Sequence, residues 1–240
     1  VCDGGVLPRH PFYPDAPAQS AGIPMIIGNT HDETRGFFSD TADVHSLTWE
    51  SLPKRLGPEL RVDIDPAVVV DAYRRLYPAL SASDVFFAAT TAGRSWRGAI
   101  IESELRAARG APTYVYQLDW RSPLRNGRLG APHTLDIPLV FDNIAKPGSL
   151  TGDGAEAQAM ADIMSEMLIT FARCAGGRVS VRSARKRAII AVTALPLRPA
   201  SSKSSRSKLL DTWMSMLGDS VGDRKSTRLN SSHITISYAV

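Results

Sequence analysis

The sequence predicts an α/β protein built on a small, mostly parallel sheet, and two stretches carry that prediction. Residues 23–27 form a short, continuous apolar run, and residues 113–120 are rich in β-branched and aromatic side chains. An unbroken apolar run is typical of a strand that is covered on both faces. Helical patterns separate the two stretches, and a right-handed crossover through helices would make the two strands parallel neighbours.

The region between the two predicted strands is expected to be helical. Asp65 followed by Pro66 is a favourable N-cap and first-turn pair for a helix over residues 67–77. The longest candidate covers residues 83–109, with interruptions expected at its two internal glycines. A shorter helix is expected within residues 49–56.

The clearest amphipathic helix lies after the second predicted strand, over residues 154–172. Its polar residues recur at steps of four on one side. The apolar side carries Met160, Ile163, Met164, Met167, Leu168 and Phe171. We interpret these methionines as core filling rather than as a binding surface.

Charged side chains directly follow the first predicted strand. We expect Gly28 to end that strand, so that His31, Asp32 and Glu33 lie at its carboxyl end. In open α/β sheets, ligands and catalytic groups collect at that edge. Solvated loop charges are the competing interpretation, because most charged residues lie on protein surfaces.

A histidine follows the second predicted strand. His133 lies in a loop bounded by Gly and Pro, 100 positions after Glu33. A lone loop histidine is usually an ordinary surface residue, but a parallel sheet brings the loops after neighbouring strands to one edge. An acid followed by a histidine is the second half of the order Ser, Asp/Glu, His found in α/β-hydrolases. We therefore expect Glu33 and His133 to approach each other at one end of the sheet.

At these residues the sequence resembles the C-terminal portion of the type-B carboxylesterases. Three blocks carry the resemblance, which covers about residues 1–173: CDGGVLPRHPF at 2–12, IPMIIGNTHDETRGFF at 23–38 and GAPHTLDIPLVF at 130–141. It implies a partial α/β-hydrolase fold, with the C-terminal part of the sheet and its helices. It also implies that Glu33 is the triad acid and His133 the triad base of a carboxylic ester hydrolase. A small-molecule ester would be the substrate, and no cofactor is implied.

The nucleophile expected from the resemblance is not found in its place. The family carries it in a Gly-x-Ser-x-Gly elbow upstream of the acid, and we expect no such motif anywhere in this chain. The Gly-rich oxyanion loop is also missing, and the chain begins with Val1. We expect no nucleophile in this chain and interpret the sequence as a fragment that is inactive as written.

The residues around the predicted pair receive weaker assignments. We give His31 and Asp32 no role, and we expect Asp136 to be solvated or to cap a helix. A metal site at His31 and Glu33, or at His133 and Asp136, is disfavoured because each pair lacks a third ligand. We therefore expect no metal.

Net charge divides the chain near residue 173. Residues 1–172 carry a net charge of −6 and residues 173–240 a net charge of +10. We predict that residues 1–173 form the hydrolase part, and that residues 174–240 are a disordered or non-native tail produced by a frame shift. Residues 224–240 resemble the translated read-through of a sequencing adapter. A basic tail that binds nucleic acid or anionic lipid is the alternative, which we disfavour because no nucleic-acid motif is recognisable.

The remaining sequence features exclude several classes. No apolar run is long enough to span a membrane, and Cys2 and Cys174 have neither metal spacing nor an evident pairing, so we expect free thiols. Export is left open by the sequence. The alternative to a hydrolase is a non-catalytic binding or adhesion-type member of the same superfamily, which the presence of both Glu33 and His133 disfavours.

Overall fold

The computed structural model describes residues 2–174, 190–191 and 234–239, and the chain divides into two compact units. Of the described residues, the first unit, called the sheet unit here, contains 2–36, 98–174, 190–191 and 234–239. The second, called the helical unit, contains residues 37–97. The α-helices are α1 (Glu33–Phe37), α2 (Leu52–Leu56), α3 (Pro66–Leu76), α4 (Ala82–Thr91), α5 (Arg97–Ala107), α6 (Asp136–Val140) and α7 (Ala155–Cys174).

The sheet has the strand order β1-β2-β4-β3. Strand β1 (Met25–Thr30) pairs in parallel with β2 (Thr113–Leu118), with Met25 opposite Thr113. Strand β4 (Ile234–Ala239) is antiparallel to β2, and the two-residue β3 (Ile190–Ala191) is parallel to β4. The parallel pairing expected from the sequence is confirmed, because helices provide the long crossover that parallel strands need.

Strand β1 differs from its prediction in position and in cover. It begins at Met25 rather than at Ile23, which is 62% exposed. The backbone of Ile23 is held in the preceding turn, where its N–H donates to the Ser20 carbonyl and its carbonyl accepts from Arg106. The strand is half-buried along most of its length, so the prediction that both faces are covered is wrong for the part of the chain that the structure describes.

Gly28 lies inside β1 and does not end it, which corrects the expectation of a turn there. It pairs with Tyr116 on β2, and a Cβ at Gly28 would lie 2.3 Å from Cδ1 of the Tyr116 ring. Glycine is therefore needed for the close approach of an aromatic ring, and the strand continues through it to carry Asn29 and Thr30.

Replacing Gly28 with alanine is expected to lower the free energy of unfolding by about 1–3 kcal/mol, because the new methyl group overlaps the Tyr116 ring. Urea denaturation measures the change. Gly98→Ala in α5 is the control, since nothing lies within 4 Å of a Cβ there. It should raise stability by about 0.5–1 kcal/mol through helix propensity. Equal stability of Gly28→Ala and the parent chain would show that the ring has room to turn aside.

The helical unit packs α2, α3 and α4 around Phe86 and Phe87, which are fully buried. Asp65 caps α3 as predicted, and its Oδ1 accepts from the N–H of Ala67 at 2.8 Å. The long helix predicted over residues 83–109 is divided by a π-helical turn, Ala92–Trp96. At that turn a Cβ on Gly93 would lie 2.4 Å from the Leu60 carbonyl oxygen, so the interruption coincides with a close backbone approach.

In the sheet unit, α7 packs against α6 and the end of β2. Met160 and Met164 are buried in that core and Met167 packs at its margin, as expected for the apolar side of an amphipathic helix. The core also contains Leu118, Trp120 and Leu135. This packing fixes the loop between β2 and α6, in which His133 lies.

Of the tail, the structure describes only the backbone of β3 and β4. The division at residue 173 stays a prediction. Burial of Ile189, Ile190, Val192 and Leu195 against β1 or β2 would contradict it, but Ile189, Val192, Leu195 and the side chain of Ile190 lie outside the described residues. No helix in the described part of the chain is both long and apolar enough to cross a bilayer.

Candidate active site

Glu33 lies at the carboxyl end of β1, as the first residue of α1. Only 8% of the residue is exposed. Its Oε1 accepts a hydrogen bond from the backbone N–H of Thr30, the last residue of the strand, at 3.1 Å. This bond turns the carboxylate back toward the strand end and leaves Oε2 for a second partner.

His133 lies in the loop after β2 and meets Glu33 through both backbone and side chain. Its Nδ1 lies 2.5 Å from Glu33 Oε2. Its backbone N–H donates to the Glu33 carbonyl oxygen at 3.1 Å. The structure therefore brings together the two residues that the sequence singled out, at the same end of two adjacent parallel strands.

The burial of the two side chains is unequal. The Glu33 side chain is 10% exposed, whereas that of His133 is 48% exposed. An ionised carboxylate only accepts hydrogen bonds, so Nδ1 carries the proton in the bond to Glu33. That tautomer places the lone pair on Nε2, where an imidazole can take a proton from a nucleophile.

Asp32 is more deeply involved than the sequence indicated. Its backbone N–H donates to the Ala131 carbonyl at 2.8 Å, and its Oδ2 accepts from the Ala131 N–H at 3.0 Å. Arg35 Nε donates to its Oδ1 at 3.2 Å. Burial opposes ionisation, but His31, the Ala131 N–H and Arg35 together hold the pKa of Asp32 well below its ordinary value of 3.8. Sequence reasoning gave Asp32 no role, whereas in the structure this carboxylate joins the two loops of the site.

His31 is a third partner of that carboxylate, with Nδ1 3.3 Å from Asp32 Oδ2. Burial lowers the pKa of His31, and so does the charge of Arg121. The hydrogen bond and charge of Asp32, with the charge of Asp119, raise it by more. The net effect is a pKa above 6.5. A raised folded-state pKa stabilises the fold at pH below the unfolded value, and that stabilisation is lost as pH rises through the folded value.

The free energy of unfolding is therefore expected to fall as pH rises above about 6.5 through the folded-state pKa of His31, and to fall less in His31→Gln, because glutamine does not titrate. Chemical denaturation at a series of pH values measures the slope. Gln19→Asn, which changes an exposed amide and no titratable group, should leave the slope as in the parent chain. Parallel slopes for His31→Gln and the parent chain would show that His31 does not titrate against Asp32.

Asp136 corrects another assignment. It lies in the first turn of α6, but its side chain makes no capping bond there. Its Oδ2 accepts instead from the Tyr116 hydroxyl at 2.7 Å. Burial and the neighbouring Asp136 carboxylate raise the pKa of Tyr116 above its ordinary value. Asp136 thus ties α6 to β2, and no sequence signal indicated this pair, since Tyr116 was expected only as a strand residue.

Within the described part of the chain, no three His, Cys, Asp or Glu residues lie together in a group that could hold a metal ion.

The expectation that the chain contains no nucleophile motif needs one correction from the sequence itself. Residues 218–222 are Gly-Asp-Ser-Val-Gly, which has the Gly-x-Ser-x-Gly spacing. The motif follows His133 instead of preceding Glu33, so its chain order is not that of an α/β-hydrolase triad. It lies outside the described residues. Ser220 is therefore a variant to include in any activity test.

Comparisons with known proteins relate the chain to esterases. No protein-family model matches the chain. The para-nitrobenzyl esterase of Bacillus subtilis (strain 168) is 32% identical over 165 residues, which are 69% of this chain and 30% of the relative. The carboxylesterase Est55 of Geobacillus stearothermophilus is similar in two crystal structures. At pH 6.2 it has 27% identity and a TM-score of 0.55, covering 72% of this chain and 36% of Est55. At pH 6.8 it has 29% identity and a TM-score of 0.53, covering 72% and 34%.

The sheet, its helices and these structural relatives define a partial α/β-hydrolase fold. Within that fold, the chain is related to the type-B carboxylesterases, a family of carboxylic ester hydrolases. It spans about a third of the length of these relatives.

Proposed function

We propose that residues 1–173 are the part of a serine carboxylic ester hydrolase that supplies the triad acid, Glu33, and the triad base, His133. The observation that carries this proposal is the 2.5 Å contact between His133 Nδ1 and Glu33 Oε2 at the carboxyl ends of β1 and β2. The relation to esterases supports the same assignment.

The proposed roles follow from the chemistry of ester cleavage. A serine hydroxyl is a poor nucleophile at neutral pH, so a base must accept its proton as the oxygen attacks the ester carbonyl. His133 Nε2 would accept that proton and return it to the alcohol as the ester C–O bond breaks. Water then attacks the acyl-enzyme by the same route and releases the carboxylic acid. Glu33 would stabilise the imidazolium that forms in each step.

The serine and the oxyanion donors would come from outside the described residues. On this proposal the chain as written does not turn over esters, although the protein of which it is a part does. The substrate class is a small-molecule carboxylic ester. The binding or adhesion alternative gains no support from the relatives reported above, which are esterases.

A hybrid enzyme tests the proposal. In the Bacillus subtilis para-nitrobenzyl esterase, the 165-residue matching segment is replaced by the matching residues of this chain. We expect the hybrid to hydrolyse a para-nitrobenzyl ester, and His133→Ala in the hybrid to abolish that activity. A folded hybrid that retains its activity without His133 would overturn the proposal. Circular dichroism of both proteins shows that the comparison is made between folded chains.

A further inference from the structure

We propose that Asp32 is a positioning residue, which fixes His133 by clamping residues 130 and 131 onto the turn after β1. The inference rests on the proposed role of His133 as the base. Asp32 does not touch the reacting atoms, and it acts through the backbone of the histidine loop.

The clamp begins with two hydrogen bonds that run in opposite directions between Asp32 and Ala131. The Asp32 N–H donates to the Ala131 carbonyl at 2.8 Å, and the Ala131 N–H donates to Asp32 Oδ2 at 3.0 Å. Ala131 is fully buried. Both backbone groups of the residue two positions before His133 are therefore held by one aspartate, and the next residue, Glu33, holds His133 itself.

Gly130, which faces Asp32, leaves room for the Asp32 carboxylate. Gly130 has a φ of +63°, and a Cβ there would lie 2.2 Å from Asp32 Oδ2 and 2.6 Å from Cγ. Glycine alone adopts this backbone conformation without strain and leaves room for the oxygen. On the other side, Gly36 of α1 lies against Pro132, where a Cβ would be 3.3 Å from that ring. The loop is thus in close contact with the α1 turn on both sides of Ala131.

The two carboxylate oxygens of Asp32 have different partners. Arg35 Nε donates to Oδ1 at 3.2 Å, which leaves Oδ2 for the Ala131 N–H and for His31 at 3.3 Å. The Asp32 side chain is 12% exposed, so an uncharged residue that lacked these acceptors would leave a buried N–H unsatisfied. Catalytic groups must be held within a fraction of an ångström, and a displacement of about 1 Å can cost about 100-fold in rate.

The experiment uses proton NMR of the chain itself, labelled with ¹⁵N in its histidine rings. The Nδ1–H proton in the short bond to Glu33 should give a far-downfield resonance, assigned by its loss in His133→Ala. In Asp32→Ala this resonance should disappear, because the freed loop exposes the proton to exchange with water. In Asp32→Asn it should persist, since an amide oxygen can still accept from the Ala131 N–H.

Asp65→Ala is the matched control, because it removes a capping hydrogen bond between an aspartate and a backbone N–H in the helical unit. It should lower the melting temperature and retain the resonance. The proposal is overturned if Asp32→Ala retains the resonance, or if Asp65→Ala loses it as completely, since general destabilisation would then explain both. In the hybrid, Asp32→Ala should lower kcat about 100-fold with little change in KM. An inactive hybrid would count against the proposed function, whereas the NMR result decides the role of Asp32 without it.

Discussion

Replacing His133 with alanine in the hybrid enzyme is expected to lower kcat by about 10⁶-fold, the loss that follows removal of the base from a serine triad. Without the imidazole, no group accepts the serine proton as the ester carbonyl is attacked. The hydrogen bond to Glu33 at 2.5 Å shows that the ring is already oriented, so its loss removes a preorganised base. Initial rates on a para-nitrobenzyl ester measure the effect, with His10→Ala as the control that should leave kcat unchanged.

In the hybrid enzyme, Glu33→Gln should lower kcat by less, about 10⁴-fold, as expected when the acid is removed and its shape is kept. Glu33 accepts from two donors, the Thr30 N–H and His133 Nδ1. A glutamine has one acceptor oxygen, so its NH₂ group must face either the backbone N–H or the ring. Facing the ring, it would favour the tautomer with the proton on Nε2, which cannot act as a base. Glu50→Gln, a surface change in the helical unit, is the control. An effect of Glu33→Gln as small as that of Glu50→Gln would remove Glu33 from the triad.

The proximity of the two proposed catalytic residues could be predicted from the sequence, because the local patterns and the topology both indicated it. Apolar and β-branched runs indicated β1 and β2, and the helical region between them required a parallel connection. Parallel neighbours end at the same edge, so the residues after each strand meet. The 2.5 Å contact of Glu33 and His133 lies where that reasoning placed it.

The features that sequence reasoning missed depend on partners far away in the chain. Gly28 was expected to end β1, but its partner is the Tyr116 ring across the sheet, and only the register of the two strands reveals that contact. The link from Asp32 to Gly130 and Ala131 likewise joins residues about a hundred positions apart. A glycine two positions before the loop proline was the one available signal, and by itself it indicates only a turn.

The chain on its own is expected to hydrolyse a short-chain nitrophenyl ester no faster than buffer does. On the proposed assignment it provides a base and an orienting acid, but in a triad the residual rate without the nucleophile comes from the oxyanion hole and from substrate binding. Neither an upstream serine elbow nor a Gly-rich oxyanion loop precedes Glu33. The His133 side chain is itself 48% exposed, so water reaches the imidazole. Without a nucleophile and without oxyanion donors, the chain is expected to lack essentially all turnover.

The decisive comparison is between the purified chain, its His133→Ala variant and its Ser220→Ala variant, each assayed at equal concentration. All three should match buffer. The Gly-Asp-Ser-Val-Gly segment at 218–222 is the one place where a nucleophile of the expected spacing occurs, but an elbow needs a strand before the serine and a helix after it to present the hydroxyl. Turnover that vanishes in His133→Ala and persists in Ser220→Ala would mean that another residue attacks the ester. Turnover that vanishes in both variants would assign the nucleophile to Ser220. Either result would replace the fragment proposal with a complete, rearranged triad, because a base has a measurable effect on rate only when a nucleophile lies within its reach.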